Sequence, residues 1–189
     1  MKLFLLPIGS WEPHPGLEED LDTRIAAKIA EILSERVGGN VLPPIPFSAS
    51  FEWEESISLK VETLSAVLRD VNESIKKLGG ALVVVNAHGG NSGLLQAIAR
   101  QEGFYVIDFY GSCGIKVGHS ALTECLVAKV LGVIDTICEK GKEWPRRKVE
   151  GARIKVGRYD EEGYSFYEIQ IKIMRCLEEI TKELKGLEP

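Results

Sequence analysis

The residues best suited to chemistry are the three histidines of this chain, His14, His88 and His119. Each of them comes after an apolar stretch typical of a β-strand and lies among glycines, carboxylates or both. In an open parallel sheet, the loops that follow the strands collect at one edge, and ligands bind there. Imidazoles and carboxylates that meet at such an edge are typical metal ligands. The sequence therefore predicts a metal site.

Three acidic residues are candidates to complete this site. Glu12 lies two residues before His14, so both side chains would share one face of an extended loop. Asp22 lies at the predicted start of a helix, where it either caps the helix or bridges two cations with its two oxygens. Glu124 lies five residues after His119 and is either a helix-surface carboxylate or a further ligand.

The surroundings of His88 favour a functional role without excluding a structural one. Gly89 and Gly90 follow it directly and give the backbone the freedom to turn sharply after the strand. Asn86 and Asn91 flank it and offer hydrogen-bonding groups that could orient the ring. A single histidine at the end of a strand is also a common structural feature, so the sequence leaves both interpretations open.

Imidazole and carboxylate ligands without a thiolate favour Zn²⁺, Mn²⁺ or Fe²⁺ over Ca²⁺. Two such ions about 3.5–4 Å apart would acidify a bridging water and polarise a carbonyl group. This is the machinery of amide hydrolysis. The sequence contains no Gly-x-Ser-x-Gly elbow, no Walker loop and no Gly-x-Gly-x-x-Gly motif that would indicate another chemistry.

The alternation of strand-like and helix-like segments predicts a three-layer α/β/α fold with a mainly parallel sheet, in a single domain over residues 1–189. The predicted strands are residues 2–7, 41–45, 81–86 and 104–109, with a further edge strand considered at 152–156. The predicted helices are residues 22–35, a segment through 64–78 with Ser58 as its N-cap, then 92–101, 120–133 and 165–185.

Composition limits the function classes. The net charge of −5 argues against a nucleic-acid binder, and a local basic run within 140–148 is interpreted as a solvated loop or a contact for an anionic substrate or partner. The first residues form no targeting signal, and no apolar run approaches the roughly 20 residues that span a membrane. A cytoplasmic protein is therefore expected. The four cysteines form no Cys-x-x-Cys pair and are expected to be reduced, mostly buried thiols.

Four segments, in the same order along the chain, resemble motifs of the creatininase (creatinine amidohydrolase) family. They are LPIGSWEPH at 6–14, LDTRIA at 21–26, VVNAHGGN at 84–91 and GHSALTEC at 118–125. The resemblance implies an α/β/α fold, a centre of two divalent metal ions, usually zinc, manganese or iron, and hydrolysis of a C–N bond in a small cyclic amide or formamide. Members of this family include formamide hydrolases that act on flavin and deazaflavin precursors and a peptidase that acts in the maturation of a peptide-derived cofactor.

The resemblance also implies roles for individual residues. The implied metal ligands are Glu12, His14, Asp22, His88 and Glu124, with Asp22 bridging the two ions. His119 would lie near the substrate as a proton donor or acceptor. A small-molecule substrate and a homo-oligomer are implied as well, with no nucleic-acid or membrane partner.

The chain departs from the family pattern in three places. Residues 15–19 replace a segment in which the family commonly has a second histidine, and residues 48–52 also lack a histidine found there. Gly90 stands where creatininases that act on creatinine carry a glutamate. Creatinine is therefore not the expected substrate. A non-catalytic descendant that binds a small molecule is the alternative to an enzyme.

Overall fold

The computed structural model describes residues 1–117, 122–139 and 163–187. Within them, the strands are β1 (Lys2–Ile8), β2 (Asn40–Val41), β3 (Gly80–Asn86) and β4 (Tyr105–Asp108). The helices are α1 (Leu21–Val37), α2 (Val61–Lys77), α3 (Ser92–Glu102), α4 (Phe109–Ser112), α5 (Leu122–Val130) and α6 (Phe166–Gly186). A short 3₁₀ turn, Gly89–Asn91, precedes α3. The predicted α/β fold is confirmed.

The strands form one parallel sheet in the order β2–β1–β3–β4. Ile8 pairs with Asn86, and Asn86 pairs with Asp108, so β1, β3 and β4 end at the same level. The segments that leave these three strands therefore start side by side at one edge of the sheet.

Each face of the sheet has its own apolar core, because successive side chains of a strand point to opposite faces. Leu3 and Leu5 pack into a cluster with residues of α1, α5 and α6. Phe4 and Leu6 pack into a second cluster with residues of α2 and α3. The result is the predicted helix–sheet–helix layering. None of the helices in the described part of the chain combines the length and apolarity needed to cross a bilayer.

The predicted strand at 41–45 is wrong in its extent. β2 ends at Val41, and Ile45 returns only as an isolated bridge to Ile8. Pro43 and Pro44 lie between them and carry no N–H for a continuous ladder.

The predicted N-cap of α2 is also wrong. The N-cap is Lys60, and Ser58 instead forms an isolated bridge with Ser48. By contrast, α6 begins with a full capping box, in which Ser165 and Glu168 each bond to the other's backbone N–H. The beginning of the predicted helix at 120–133, the considered strand at 152–156 and the basic run all lie outside the described residues.

The prediction of reduced cysteines is wrong. Cys113, at the end of α4, is bonded to Cys176 of α6, and Cys125 of α5 is bonded to Cys138 in the loop that follows. Packing of the helices brings each pair to Cα separations of 5.1 and 5.6 Å, which sequence spacing could not reveal. Disulfides occur in oxidising compartments and in intracellular proteins of hyperthermophiles, so cysteine usage gives no support for a cytoplasmic location.

We expect the two disulfides to differ in their contribution to stability, because a longer closed loop restricts the unfolded chain more. Replacing Cys113 and Cys176 together by serine removes a cross-link between residues 63 apart in sequence. This change should lower the free energy of unfolding by about 4 kcal/mol. The same change at Cys125 and Cys138, 13 residues apart, should cost about 3 kcal/mol. Denaturant unfolding with and without a reductant measures both. Equal stability of oxidised and reduced wild-type protein would contradict the expectation.

Candidate metal centre

Five of the six predicted site residues meet at the edge where β1, β3 and β4 end. Glu12 and His14 follow β1, Asp22 lies in the first turn of α1, His88 follows β3, and Glu124 lies in the first turn of α5. All five are buried, with 1–6% of their surface exposed. The sixth residue, His119, lies outside the described residues.

These side chains form two groups that share one carboxylate. The Glu12 group contains Glu12, Asp22 and His88, and the Glu124 group contains His14, Asp22 and Glu124; within each group, one ligand atom of every residue lies within 4.8 Å of the others. Oδ1 of Asp22 lies 3.5 Å from Nε2 of His14, whereas Oδ2 lies 3.0 Å from Nδ1 of His88. The two oxygens of one carboxylate therefore face different groups.

The Asp22 side chain is held between the two groups and does not cap α1. The N-cap of α1 is Asp20, whose side chain makes no capping bond, so a capping role for Asp22 is wrong. Ser10 donates its hydroxyl to Oδ2 of Asp22 at 2.8 Å. A side chain at Gly9 would overlap the backbone of Thr23, so glycine there lets the start of α1 approach the end of β1.

The orientation of the His88 ring is set by a backbone carbonyl. Nε2 lies 3.1 Å from the carbonyl oxygen of Ala49, which can only accept a hydrogen bond, so Nε2 carries the proton and donates it. In the neutral ring, Nδ1 then presents its lone pair toward Asp22 and Glu12, at 3.0 and 3.5 Å. In metal sites, a ligating histidine is oriented in the same way, by a hydrogen bond from the ring nitrogen that does not bind the metal.

Two asparagines connect the loops that carry the candidate ligands. Asn86 donates to the His88 carbonyl at 2.9 Å and accepts from the His88 N–H at 3.2 Å. Asn91 donates to Oδ1 of Asn86 at 3.1 Å and to the Gly9 carbonyl at 3.4 Å, and it accepts from the Ala49 N–H at 3.2 Å. The loops after β1 and β3 and the loop around Ala49 are thus joined.

Burial and mutual charge shift the pKa values within the groups. Burial raises the pKa of Glu12, and burial raises that of Glu124 to about 8. For Asp22 the effect of burial is outweighed by the attraction of His14 and His88, and its pKa falls below the usual range. Burial lowers the pKa of both histidines, but the facing carboxylates, Asp22 for His14 and Glu12 for His88, outweigh it and raise these values to about 10 and about 9. A cation that bound here would have to displace protons from both imidazoles.

Several ligand atoms of these groups have no hydrogen-bond partner among the described residues. They are both carboxylate oxygens of Glu12, both ring nitrogens of His14, Oδ1 of Asp22 and Oε2 of Glu124. Buried polar atoms are rarely left without a partner, because losing water without a replacement costs about 1–3 kcal/mol for each group. A divalent cation in each group would satisfy these atoms with the nitrogen and oxygen donors that zinc, manganese and iron accept. The residues present therefore fit a metal centre.

A cavity of about 100 Å³ opens beside the two groups. Its described lining residues are Glu12, His88, Gly89, Gly90, Tyr110, Val117 and Glu124. This volume holds several water molecules, so both a water and an amide group could reach the ligands.

A family model described as creatininase, creatinine amidohydrolase, matches residues 1–134. The chain belongs to the creatininase family. The family resemblance expected from the four motifs is thereby confirmed.

Creatininase-family relatives among curated proteins carry the name mycofactocin precursor peptide peptidase. That of Mycolicibacterium smegmatis is 37% identical over 114 residues, which cover 53% of this chain and 46% of the relative. That of Mycobacterium ulcerans is 36% identical over 110 residues, which cover 51% and 44%. The chain spans about half the length of the curated relatives that it matches.

Solved creatininase structures share the fold over nearly the whole chain. A manganese creatininase superposes with a TM-score of 0.66 and a creatininase mutant of Zn–Zn type with 0.67, both at 14% identity and over 97% of this chain and 90% of theirs. At this identity the likeness shows the fold alone.

Gly90 has a structural reason to differ from the glutamate of creatininases that act on creatinine. A Cβ atom at this position would overlap the His88 ring and lie 2.7 Å from the Ala49 carbonyl oxygen. The hydrogen bond between this ring and this carbonyl is the one that fixes the orientation of the ring. Any larger side chain would have to displace one of them.

Gly90→Ala is therefore expected to weaken metal binding by roughly the 10–100-fold that follows loss of an orienting partner of a ligand. Gly89→Ala is the matched control, since a Cβ atom there would meet nothing within 4 Å. Titration of each metal-free variant with Zn²⁺ gives the comparison. Equal affinities of the two variants would contradict the steric argument.

Ser10, the carbonyl of Ala49 and Tyr110 belong to the site but were not predicted from the sequence. Ser10 lies inside the first family motif and follows a strand, which is a usable signal. Tyr110 lies two residues after β4, at the same edge as His88, and the rule that ligands bind after parallel strands could have identified it. Burial and the carboxylates of Asp22 and Glu124 hold the pKa of Tyr110 well above its usual value, so its phenol is neutral.

Proposed function

We propose that this chain is a dinuclear metal-dependent amidohydrolase that hydrolyses a C–N bond in a small cyclic amide or formamide. The observation that carries the proposal is the position of the Asp22 carboxylate between the two groups. Its two oxygens face two separate sets of candidate ligand atoms. A carboxylate placed in this way could be shared by two cations, with the Glu12 group holding one and the Glu124 group the other. Membership of the creatininase family supports the same chemistry.

In this proposal the Glu12 group holds one divalent ion and the Glu124 group holds the second, with zinc, manganese or iron as the metals. Such a pair supplies an acidified water and a polarised carbonyl. Ser10 and the Ala49 carbonyl keep Asp22 and His88 in position. His119 transfers a proton to or from the substrate, as its place in the family motif implies.

The names of the relatives favour a second candidate within the same reaction class. Proteins 36–37% identical to this chain over their matched parts are named precursor peptide peptidases. Hydrolysis of a peptide bond needs the same activated water and polarised carbonyl. The substrate is then a peptide amide rather than a cyclic amide or a formamide.

The deciding experiment combines metal analysis with turnover. Protein purified without added metal should contain close to two equivalents of zinc, manganese or iron in total. It should hydrolyse at least one member of a panel of cyclic amides, formamides and short peptides, and it should lose this activity after dialysis against a chelator. Protein that holds metal without turnover would favour the non-catalytic descendant. Protein that neither holds nor takes up metal would contradict metal-dependent hydrolysis of either substrate class, the small amide or the peptide.

We also propose that the chain acts as one metallohydrolase domain and assembles into a homo-oligomer in the cytoplasm. Sedimentation equilibrium gives the subunit count. A monomer at micromolar concentration would contradict the assembly.

A further inference from the structure

Tyr110 lies where β4 passes into α4, and it lines the cavity with Glu12, His88 and Glu124. Its ring packs edge-on against Phe109, with 5.5 Å between the ring centroids. The residue is 7% exposed. Its hydroxyl is buried and has no hydrogen-bond partner among the described residues.

A buried tyrosine normally bonds its hydroxyl, because an unpaired hydroxyl costs stability. Phenylalanine would make the same ring contacts at this position without that cost. The packing of α4 therefore explains the ring of Tyr110 and leaves its hydroxyl unexplained. A partner that arrives only with a bound molecule would explain both the burial and the missing bond.

The chemistry of the cavity limits what that partner is. Among the described lining residues, the other polar side chains are two carboxylates and His88, whose Nε2–H already bonds to Ala49. Tyr110 is the side chain of this set that offers a neutral O–H donor. Hydrolysis of an amide places negative charge on the carbonyl oxygen, and a donor directed at that oxygen stabilises the charge.

We propose that Tyr110 donates a hydrogen bond to the carbonyl oxygen of the scissile amide and stabilises the negative charge that develops there. This role rests on the proposed amidohydrolase function. The phenol O–H is the donor in this contact. It touches the substrate and is therefore a catalytic residue, not a positioning residue.

The test compares Tyr110→Phe with Tyr105→Phe in the full metal-loaded chain. Tyr105 is 43% exposed on β4 and controls for the same chemical change outside the cavity. Tyr110→Phe should keep the wild-type metal content and should raise the thermal midpoint by roughly 2–4 °C, because an unpaired buried hydroxyl is removed. It should lower kcat by roughly 10²–10³-fold on whichever panel amide the wild type hydrolyses, with a smaller change in KM. Tyr105→Phe should change none of these.

A second readout does not depend on turnover. Acetohydroxamic acid carries an amide-like carbonyl and serves as the probe for calorimetric titration of the metal-loaded protein. Tyr110→Phe should bind it roughly tenfold more weakly than wild type, the effect of one lost hydrogen bond. Equal binding, or a kcat equal to that of wild type, would overturn the role of Tyr110. A thermal midpoint several degrees lower would overturn it too, since the hydroxyl would then be structural. If wild type holds metal and binds the probe but hydrolyses no panel member, the proposed function fails while the probe still decides Tyr110.

Discussion

Asp22→Asn is expected to lose bound metal from both groups and to abolish hydrolysis while the protein stays folded. The substitution keeps the size of the side chain but removes the charge and one of the two oxygens that face His14 and His88. Loss of a shared ligand should lower metal affinity by more than the roughly 10–100-fold that follows loss of an orienting partner. The apolar cores on the two faces of the sheet do not include Asp22, so folding should persist. Metal analysis, circular dichroism and turnover on the panel amides measure the three effects.

Asp20→Asn is the matched control. Asp20 lies two residues away at the N-cap of the same helix, and its side chain makes no capping bond. It should keep metal and activity. His14→Ala should lose metal from the Glu124 group, to which His14 belongs, and should abolish hydrolysis as well. An Asp22→Asn variant with full metal content and full activity would show that Asp22 is not a bridging ligand.

His119→Ala and Glu124→Gln are expected to fail in different ways. His119 is proposed to transfer a proton, so His119→Ala should keep its metal and lose roughly 10²–10⁴-fold in turnover. An imidazole suits this role near neutral pH because its ordinary pKa is about 6.5. Glu124 is buried beside His14 and Asp22, so Glu124→Gln should bind one equivalent of metal less tightly than the other.

Metal titration of both variants, followed by turnover at saturating metal, separates the two roles. Added metal should restore activity to Glu124→Gln at least in part and should restore none to His119→Ala. Loss of metal from His119→Ala together with retention in Glu124→Gln would mean that the two roles are exchanged.

The fold was predictable because its signals are local. The β-branched run of β3 begins after Gly79 and Gly80 and leads into the motif around His88, and Gly38 ends α1 in the left-handed conformation that favours glycine. The errors arose where tertiary contacts decide. Ser58 has the right side chain for a helix cap, but its pairing with Ser48 takes it out of α2. The disulfides depend on how α4, α5 and the later segments pack, which the spacing of cysteines does not encode.

The candidate site was predictable for a different reason. Glu12, His14 and His88 follow strands, and a parallel sheet brings such positions together. Asp22 and Glu124 lie in the first turns of later helices, which begin at the same edge. The sequence could not separate capping from ligation at Asp22, because both need an aspartate at a helix start. The structure separates them through the position of Asp20 and the bond from Ser10. The residue type of Tyr110 alone did not indicate a function. What distinguishes this tyrosine is that the packing of α4 leaves its hydroxyl buried without a partner among the described residues, which the sequence does not show.

The bonds of Asn91 have a consequence for local opening of the protein. This side chain bonds to the backbone of Gly9, to the backbone of Ala49 and to Asn86, so the three loops cannot separate one at a time without breaking buried bonds. Ser48 adds a further bond to the Gly9 carbonyl. Loops joined in this way are expected to open together, so that their amide hydrogens exchange as one cooperative unit. Ions bound at the cluster around Asp22 would then be held between loops that open only together, so release by local loop opening would require all three loops to open at once.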